Sequence, residues 1–335
     1  MASDAFKELG VTPIKVASGR GVKPHVSLAF NDVDGKERLF SVDTTCFSKK
    51  MLQPDCYLIT HAHSDHYGKS AMKSNLSVAS TETAEALEIL HEHEFNGLSF
   101  GVGEQFYAGG TEVSTFHTGH TIGSTAYYWE NENGVRILVT GDVKDYSSLP
   151  CCDVLVTEAN YGNPHDSTCY FEDDVNRFIE ATDRGNVVFG AYAFGKAQRA
   201  VSLLRNSGFD DAIGMSSRGL RLTQSLLPDA GELVGINDGA DVCIVTPREL
   251  STTNNMLHRF VLTSSNYYYY PAIQISDHTD VRGLLGMVAH CQTKTALIYH
   301  PKGDNPRIFS NYLNEKVCNA IALEDIAPTC QTHPY

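Results

Sequence analysis

Apolar positions in the first half of the chain recur in short stretches bounded by Gly, Asn and Asp, the pattern of strands separated by turns. It predicts strands at Val26–Phe30, Leu39–Val42, Cys56–Ile59, Leu76–Ala79, Glu112–Phe116, Ala126–Trp129 and Val135–Val139. Helical periodicity first shows at Thr83–His91, behind a Ser80-Thr81-Glu82 stretch suited to cap it. Strands at Val154–Thr157 and Val187–Phe189 flank a helix over Phe171–Thr182 with acidic residues in its first turn. Gly195–Asn206 reads as another helix, because Ala197, Ala200, Val201 and Leu204 fall on one face. Ala296–Tyr299 is a buried strand running into His300, and Pro306–Leu313 a terminal helix. The succession predicts an α/β fold, with neither internal repeats nor a low-complexity linker.

Bulk properties narrow this picture only slightly. The 335 residues exceed one average domain, although single α/β units reach this size. A hydrophobic fraction of 42% and a charged fraction of 20% suit a soluble chain with a sizeable core. Apolar runs such as Val187–Phe194 are too short to cross a bilayer. The opening MASDAFKELG lacks the basic start and apolar core of a secretory signal, so a cytoplasmic protein without a membrane partner is expected. Nine cysteines without a CxxC pair read as reduced packing thiols rather than disulfides or a zinc ribbon. The net charge of −14 works against tight non-specific binding to nucleic acid. It leaves a phosphodiester substrate open, since bound divalent metals would supply local positive charge.

The chemistry concentrates in Leu58-Ile-Thr-His61-Ala-His63-Ser-Asp65-His66, where an apolar strand runs into four potential metal ligands. Alternation sends His61 and His63 to one side, and a turn after them brings Asp65 and His66 toward a second site. Imidazole and carboxylate at this density suit zinc, whereas calcium and magnesium favour oxygen ligands. In Phe116-His-Thr-Gly-His120, a Gly-His turn lets His120 approach the same metals. The strand Ile137–Thr140 delivers Gly141-Asp142, whose carboxylate is placed to bridge two cations. His117, inside its strand, is expected to be packed or to support a ligand, and Asp43 to be a buried partner of the histidine loop. His91 and His93 imitate the same spacing but follow a helix and are read as surface residues. The run Tyr267–Tyr270 is either an edge strand or interdomain surface, or a stacking surface for bases.

HxHxDH, then a Gly-His turn, then a Gly-Asp ending a strand resembles the metallo-β-lactamase superfamily. That resemblance implies a four-layer αββα sandwich with a dinuclear centre. His61, His63 and His120 would bind one zinc, Asp65 and His66 the other, and Asp142 both. The bridging hydroxide would be the nucleophile, and two Zn2+ are expected, with Mn2+ as an alternative. Substrate class is set by later segments. Val154-Leu-Val-Thr-Glu158, Gly195-Lys-Ala-Gln198, Ser276-Asp-His278-Thr-Asp280 and Leu297-Ile-Tyr-His300 resemble the ordered motifs of the β-CASP nuclease family. By that resemblance His300 completes the second zinc's ligands, and Asp65, Glu158 and His278 are catalytic. His278, oriented by Glu158, would contact the scissile phosphate and protonate the leaving oxygen. Lys196, Arg199 and Arg248, with Arg218 and Arg221, are candidates for contacts to the substrate backbone.

Residues 1–165 and 270–335 would then form the sandwich domain and residues 166–269 a compact inserted β-CASP-like α/β domain. A histidine at 300 is similar to the RNA-processing branch that includes RNase J and the cleavage-and-polyadenylation endonuclease. Ser-Asp-His-Thr-Asp is also close to the motif of ligase-associated DNA exonucleases. The expected activity is zinc-dependent hydrolysis of single-stranded RNA or DNA, RNA being favoured and exonuclease action a variant of it. A homodimer is an open assembly state. The alternatives are a small-molecule hydrolase of the same fold acting on a thioester or lactone, and a non-catalytic scaffold, which the full ligand set disfavours.

Overall fold

The computed structural model describes residues 2–16, 25–44, 53–67, 69–253, 257–264, 268–299 and 303–327. The chain opens with helix α1 (Ala2–Glu8) and strands β1 (Val11–Val16), β2 (His25–Asn31) and β3 (Glu37–Val42). Strand β4 (Cys56–Leu58), helix α2 (Lys69–Met72), strand β5 (Ser77–Ser80), helix α3 (Thr81–His91) and strand β6 (Leu98–Phe100) follow. The six strands form one sheet in sequence order, antiparallel up to β3 and parallel from there. Ser80 caps α3 by accepting from Thr83 N at 3.1 Å, so the helix begins at the cap itself, two residues ahead of its periodic apolar face.

A second sheet holds β7 (Gln105–Ala108), β8 (Thr111–His117), β9 (Thr125–Glu130), β10 (Arg136–Gly141) and β11 (Val154–Thr157). The chain then leaves it for helix α4 (Val175–Thr182), β12 (Val187–Gly190), helix α5 (Lys196–Asn206), β13 (Ile213–Met215) and helix α6 (Ser217–Leu226). Strands β14 (Leu233–Gly235), β15 (Val242–Val245), β16 (His258–Leu262) and β17 (Ala272–Ile273) complete a third sheet. Its order is β14-β13-β15-β12-β16-β17, and every pair in it is parallel. Helix α7 (Val281–His290), β18 (Thr295–Ile298), helix α8 (Asn305–Lys316) and β19 (Asn319–Ala322) return the chain to the second sheet. Strand β18 pairs with β11 in parallel, and β19 forms the edge.

The first two sheets share one core. Phe40 and Leu58 meet Val113, Trp129 and Val156 across it, and the Trp129 ring lies 5.2 Å from that of Phe40. Alternation decides which side chain faces which layer. Ile137 and Val139 of β10 enter this shared core, whereas Leu138 turns to α7 and α8, packing with Leu284 and Phe309. Because both faces are covered, these strands read as unbroken apolar runs. On the far side of the first sheet Ile59 and Ala79 pack on Leu87 of α3, Leu222 and Leu226 of α6, and Phe194. That cluster seats the third sheet's helices against the histidine loop.

Two expectations need correcting. The helix expected over 171–182 begins only at Val175, because Asp174 caps it by accepting from Arg177 N at 3.2 Å. Phe171 is instead buried, its N–H donating to Asp280. The helix at 306–313 is not terminal, since the chain continues into β19, whose apolar stretch is too short to stand out in sequence. Among the described residues, the cysteines are free thiols, and no helix is long and apolar enough to cross a membrane.

Candidate metal centre

The centre is built outward from Asp43, just past β3, which holds a left-handed backbone (φ 47°) that aspartate tolerates better than most residues. Its Oδ1 accepts from Thr60 N at 2.9 Å. Its Oδ2 accepts from the Thr60 hydroxyl at 2.9 Å, from His66 Nδ1 at 2.8 Å and from the Tyr299 hydroxyl at 3.0 Å. The Thr60 hydroxyl, having donated to Asp43, is left to accept from His61 Nδ1 at 3.0 Å. Gly141 (φ 63°) lets this layer close up, because a Cβ there would fall 2.4 Å from Thr60 Oγ1. Gly141→Ala is therefore expected to destabilise the fold by about 1–3 kcal/mol, read as a lower midpoint in urea unfolding. An unchanged midpoint would show that Thr60 is not fixed by this packing.

Four imidazoles are thus held by one nitrogen each, leaving the other to converge. His120 Nδ1 donates to the Asp277 carbonyl at 2.8 Å, and His63 Nε2 to the Phe194 carbonyl at 3.2 Å. Gly195 (φ 86°) permits that approach, since a Cβ would lie 3.1 Å from His63 Nε2. His63 Nδ1 and His120 Nε2 then face each other at 3.0 Å. In neutral rings neither has a hydrogen left to donate, so two lone pairs point into one space. Asp142 Oδ2 lies 3.7 Å from His61 Nε2, 3.4 Å from His66 Nε2 and 3.5 Å from His120 Nε2. His61 Nε2, His66 Nε2 and Asp142 Oδ1 are buried without a hydrogen-bond partner, an arrangement costly in a folded chain unless a ligand relieves it.

The ligand atoms of His61, His63, His120 and Asp142 lie within 4.8 Å of one another, and those of Asp142, Glu158 and His278 form a second such group. This donor set fits a divalent metal ion: neutral imidazoles with lone pairs inward, an anionic carboxylate, and outer hydrogen bonds fixing every ring. Electrostatics agree. Burial, with neighbouring imidazoles, drives His61 well below its ordinary value and His120 down to about 3. Burial acts the same way on His66, but Asp142 and Asp43 outweigh it and raise its pKa well above the ordinary value. Burial would raise Asp142, yet His66 and His278 beside it keep the carboxyl well below the usual range. A cation among these atoms would meet the same carboxylates that attract a proton to His66, so metal binding and protonation of that ring would compete.

Glu158 directly follows β11 and is buried. Its Oε1 accepts from His278 Nδ1 at 2.8 Å and its Oε2 from Asn160 N at 2.7 Å. The His278 ring lies 4.5 Å from that of His120. Burial lowers the His278 pKa, but Glu158 and Asp142 more than offset this and raise it to about 9. Asp65 and His66 line a small cavity with His25, Asp43, Tyr299 and Glu324. Residue 300 lies outside the described residues.

The proposed backbone contacts fall differently. Lys196 is buried, its Nζ 3.2 Å from Asp277 Oδ1. Arg199 is hydrogen-bonded to Asp173 and Arg221 lies 3.5 Å from Glu92, whereas Arg248 and Arg218 are exposed. His117, expected to be packed or supporting, is exposed at the end of β8, where alternation turns it outward. His93 is exposed, but His91 is half-buried and hydrogen-bonded to the Tyr67 hydroxyl. Sequence reasoning missed Thr60, Asp277 and Tyr299. Thr60 and Tyr299 do adjoin the motif residues His61 and His300, the one signal that pointed to them.

No family model matches the sequence. RNase aCSPSF2 of Saccharolobus solfataricus is 22% identical over 210 residues, covering 51% of this chain and 42% of that protein. The chain thus spans less than half the length of that relative. A solved structure, described as a protein of unknown function from Enterococcus faecalis V583, superimposes with a TM-score of 0.63. The two share 11% identity over 93% of this chain and 97% of the other, a likeness of fold.

Proposed function

We propose that the chain is a zinc-dependent nuclease of the metallo-β-lactamase superfamily, in its β-CASP branch, hydrolysing phosphodiester bonds of single-stranded RNA. In this reading the two face-to-face sheets and their outer helices are the four-layer sandwich, and residues 166–269 are the inserted domain. The observation that carries it is the sharing of Asp142 between the imidazole cluster and the Glu158–His278 pair. Metal-dependent hydrolases of small esters need the first group; leaving-group protonation of a phosphodiester gives a role to the second. The ribonuclease relative supports RNA over DNA.

His61, His63, His120 and Asp142 would hold one metal, and Asp142 with Asp65, His66 and His300 a second. Bound metal would supply positive charge and acidify a coordinated water. The chain's own residues do the rest. Glu158 accepts from His278 Nδ1, and its charge with that of Asp142 favours the imidazolium, whose second proton sits on Nε2. That proton is the one given to the leaving oxygen. The Asn160 amide nitrogen lies 3.4 Å from His278 Nε2. Burial of the cluster excludes bulk water and strengthens every charge interaction within it.

End-labelled single-stranded RNA and DNA, with 5′-phosphate or 5′-hydroxyl ends, test this directly. RNA is expected to be shortened, chelator to stop the reaction, and added zinc or manganese to restore it. Intact oligonucleotides beside turnover of a model thioester would overturn the reading in favour of a small-molecule hydrolase.

A further inference from the structure

The third sheet is parallel throughout, and in such sheets ligands bind beyond the carboxyl ends of the strands, where the strand order reverses. Here β12 is central, with the connections going first to one side, to β13 and β14, and later to the other, to β16 and β17. The loops leaving that edge carry unusual exposed side chains. Tyr192 follows β12 and is 56% exposed, and Tyr269, between β16 and β17, is 93% exposed. Arg248 follows β15 on the same edge and is also exposed.

Both tyrosines touch side chains anchored on the sheet. Tyr268 and Tyr270 pack against Val188, Val245 and Val261 on one face of the sheet, and the Tyr269 ring stands edge-on to Tyr270 at 5.2 Å. The Tyr192 hydroxyl meets that of Tyr268 at 3.2 Å. Lys196 Nζ sits 5.9 Å from the centre of the Tyr192 ring and bonds Asp277, the neighbour of His278. Two residues beyond Tyr192, the Phe194 carbonyl holds His63. On the other side the Tyr161 ring lies 5.8 Å from His278, and its hydroxyl bonds Ser264, which also follows β16. The exposed rings are therefore continuous with the metal centre through a few rigid contacts.

We propose that Tyr192 and Tyr269 form a stacking subsite for the unpaired bases of a single-stranded RNA whose backbone runs on to His278. This rests on the nuclease reading above. Rings with an open face stack on any base, so the subsite gives affinity without sequence preference and lets an acidic protein hold RNA with few cations. Arg248 supplies a charge for the backbone at the same edge. A duplex offers no free base faces there, so paired strands are excluded.

The test uses the metal-loaded protein and a fluorescent, phosphorothioate-linked RNA strand that resists cleavage, beside the same strand with abasic positions and a DNA version. The intact protein should bind the ordinary strand about tenfold or more tighter than the abasic one. Tyr192→Ala with Tyr269→Ala should abolish that preference, and Tyr→Phe at both positions should restore it, with thermal midpoints unchanged throughout. Preference for bases retained in the double alanine variant would overturn the subsite while leaving the nuclease reading intact. Conversion of a dimer to a monomer without change in RNA affinity would overturn it too, making this face a contact between copies. An intact protein that neither binds nor cleaves any strand would instead overturn the nuclease reading itself.

Discussion

Replacing His278 by alanine is expected to slow RNA hydrolysis by about 10²–10⁴-fold, the range for loss of one general acid, while bound metal stays at its normal content. The split follows from the geometry. His278 Nδ1 is committed to Glu158, and its Nε2 lies 3.9 Å from Asp142 Oδ2, farther than the Nε2 atoms of His61, His66 or His120. Removing the ring leaves the converging nitrogens of His61, His63 and His120 untouched. Added imidazole should recover part of the lost rate by filling the vacated space. Steady-state rates beside elemental analysis of the same samples decide it. Full activity in the variant would remove His278 from the reaction, and loss of metal in step with activity would make it a ligand.

Replacing Asp142 by alanine should act the opposite way, emptying the site of metal and abolishing hydrolysis together. Its Oδ2 lies within 3.9 Å of four imidazole nitrogens, from three different segments. Its charge helps to raise His66, together with Asp43, and His278, behind Glu158, against the pull of burial. Without it, a cation would meet imidazoles alone and the two metal groups would no longer share an anion. Metal content by mass spectrometry should fall toward background, and a variant that keeps full metal and full rate would rule out this shared role. Asp142→Asn separates charge from shape, since it keeps the volume and loses the anion.

The sequence made these residues readable to very different degrees. His61, His63, Asp65 and His66 stand within one turn at a strand exit, and no packing need puts that many metal-binding side chains together. Glu158 and His278 were legible only as members of an ordered set of motifs, because 120 positions separate two groups that touch. The Phe194 and Asp277 carbonyls were invisible, since every residue has a carbonyl and only the fold decides which one meets an imidazole. Lys196 shows how burial escapes the sequence. A lysine in a helix's first turn reads as a free phosphate contact, yet here the helix is docked so that the amine is buried against Asp277. Periodicity marked most strands around the histidine loop and helices α3, α5 and α8, but α6, α7 and most of the third sheet's strands went unread, and the partition into three sheets depended on long-range pairings that no local pattern contains.

The bond from Tyr299 to Asp43 spans 256 positions. Tyr299 directly follows β18, which takes its place in the second sheet only after the whole third sheet has been synthesised. Contacts of such sequence separation form late and slowly. During translation the histidine loop would therefore emerge long before the hydroxyl that helps fix Asp43 beneath it. A nascent chain would carry the ligands without the frame that aims them, so competence arrives only once β18 and Tyr299 have emerged and paired.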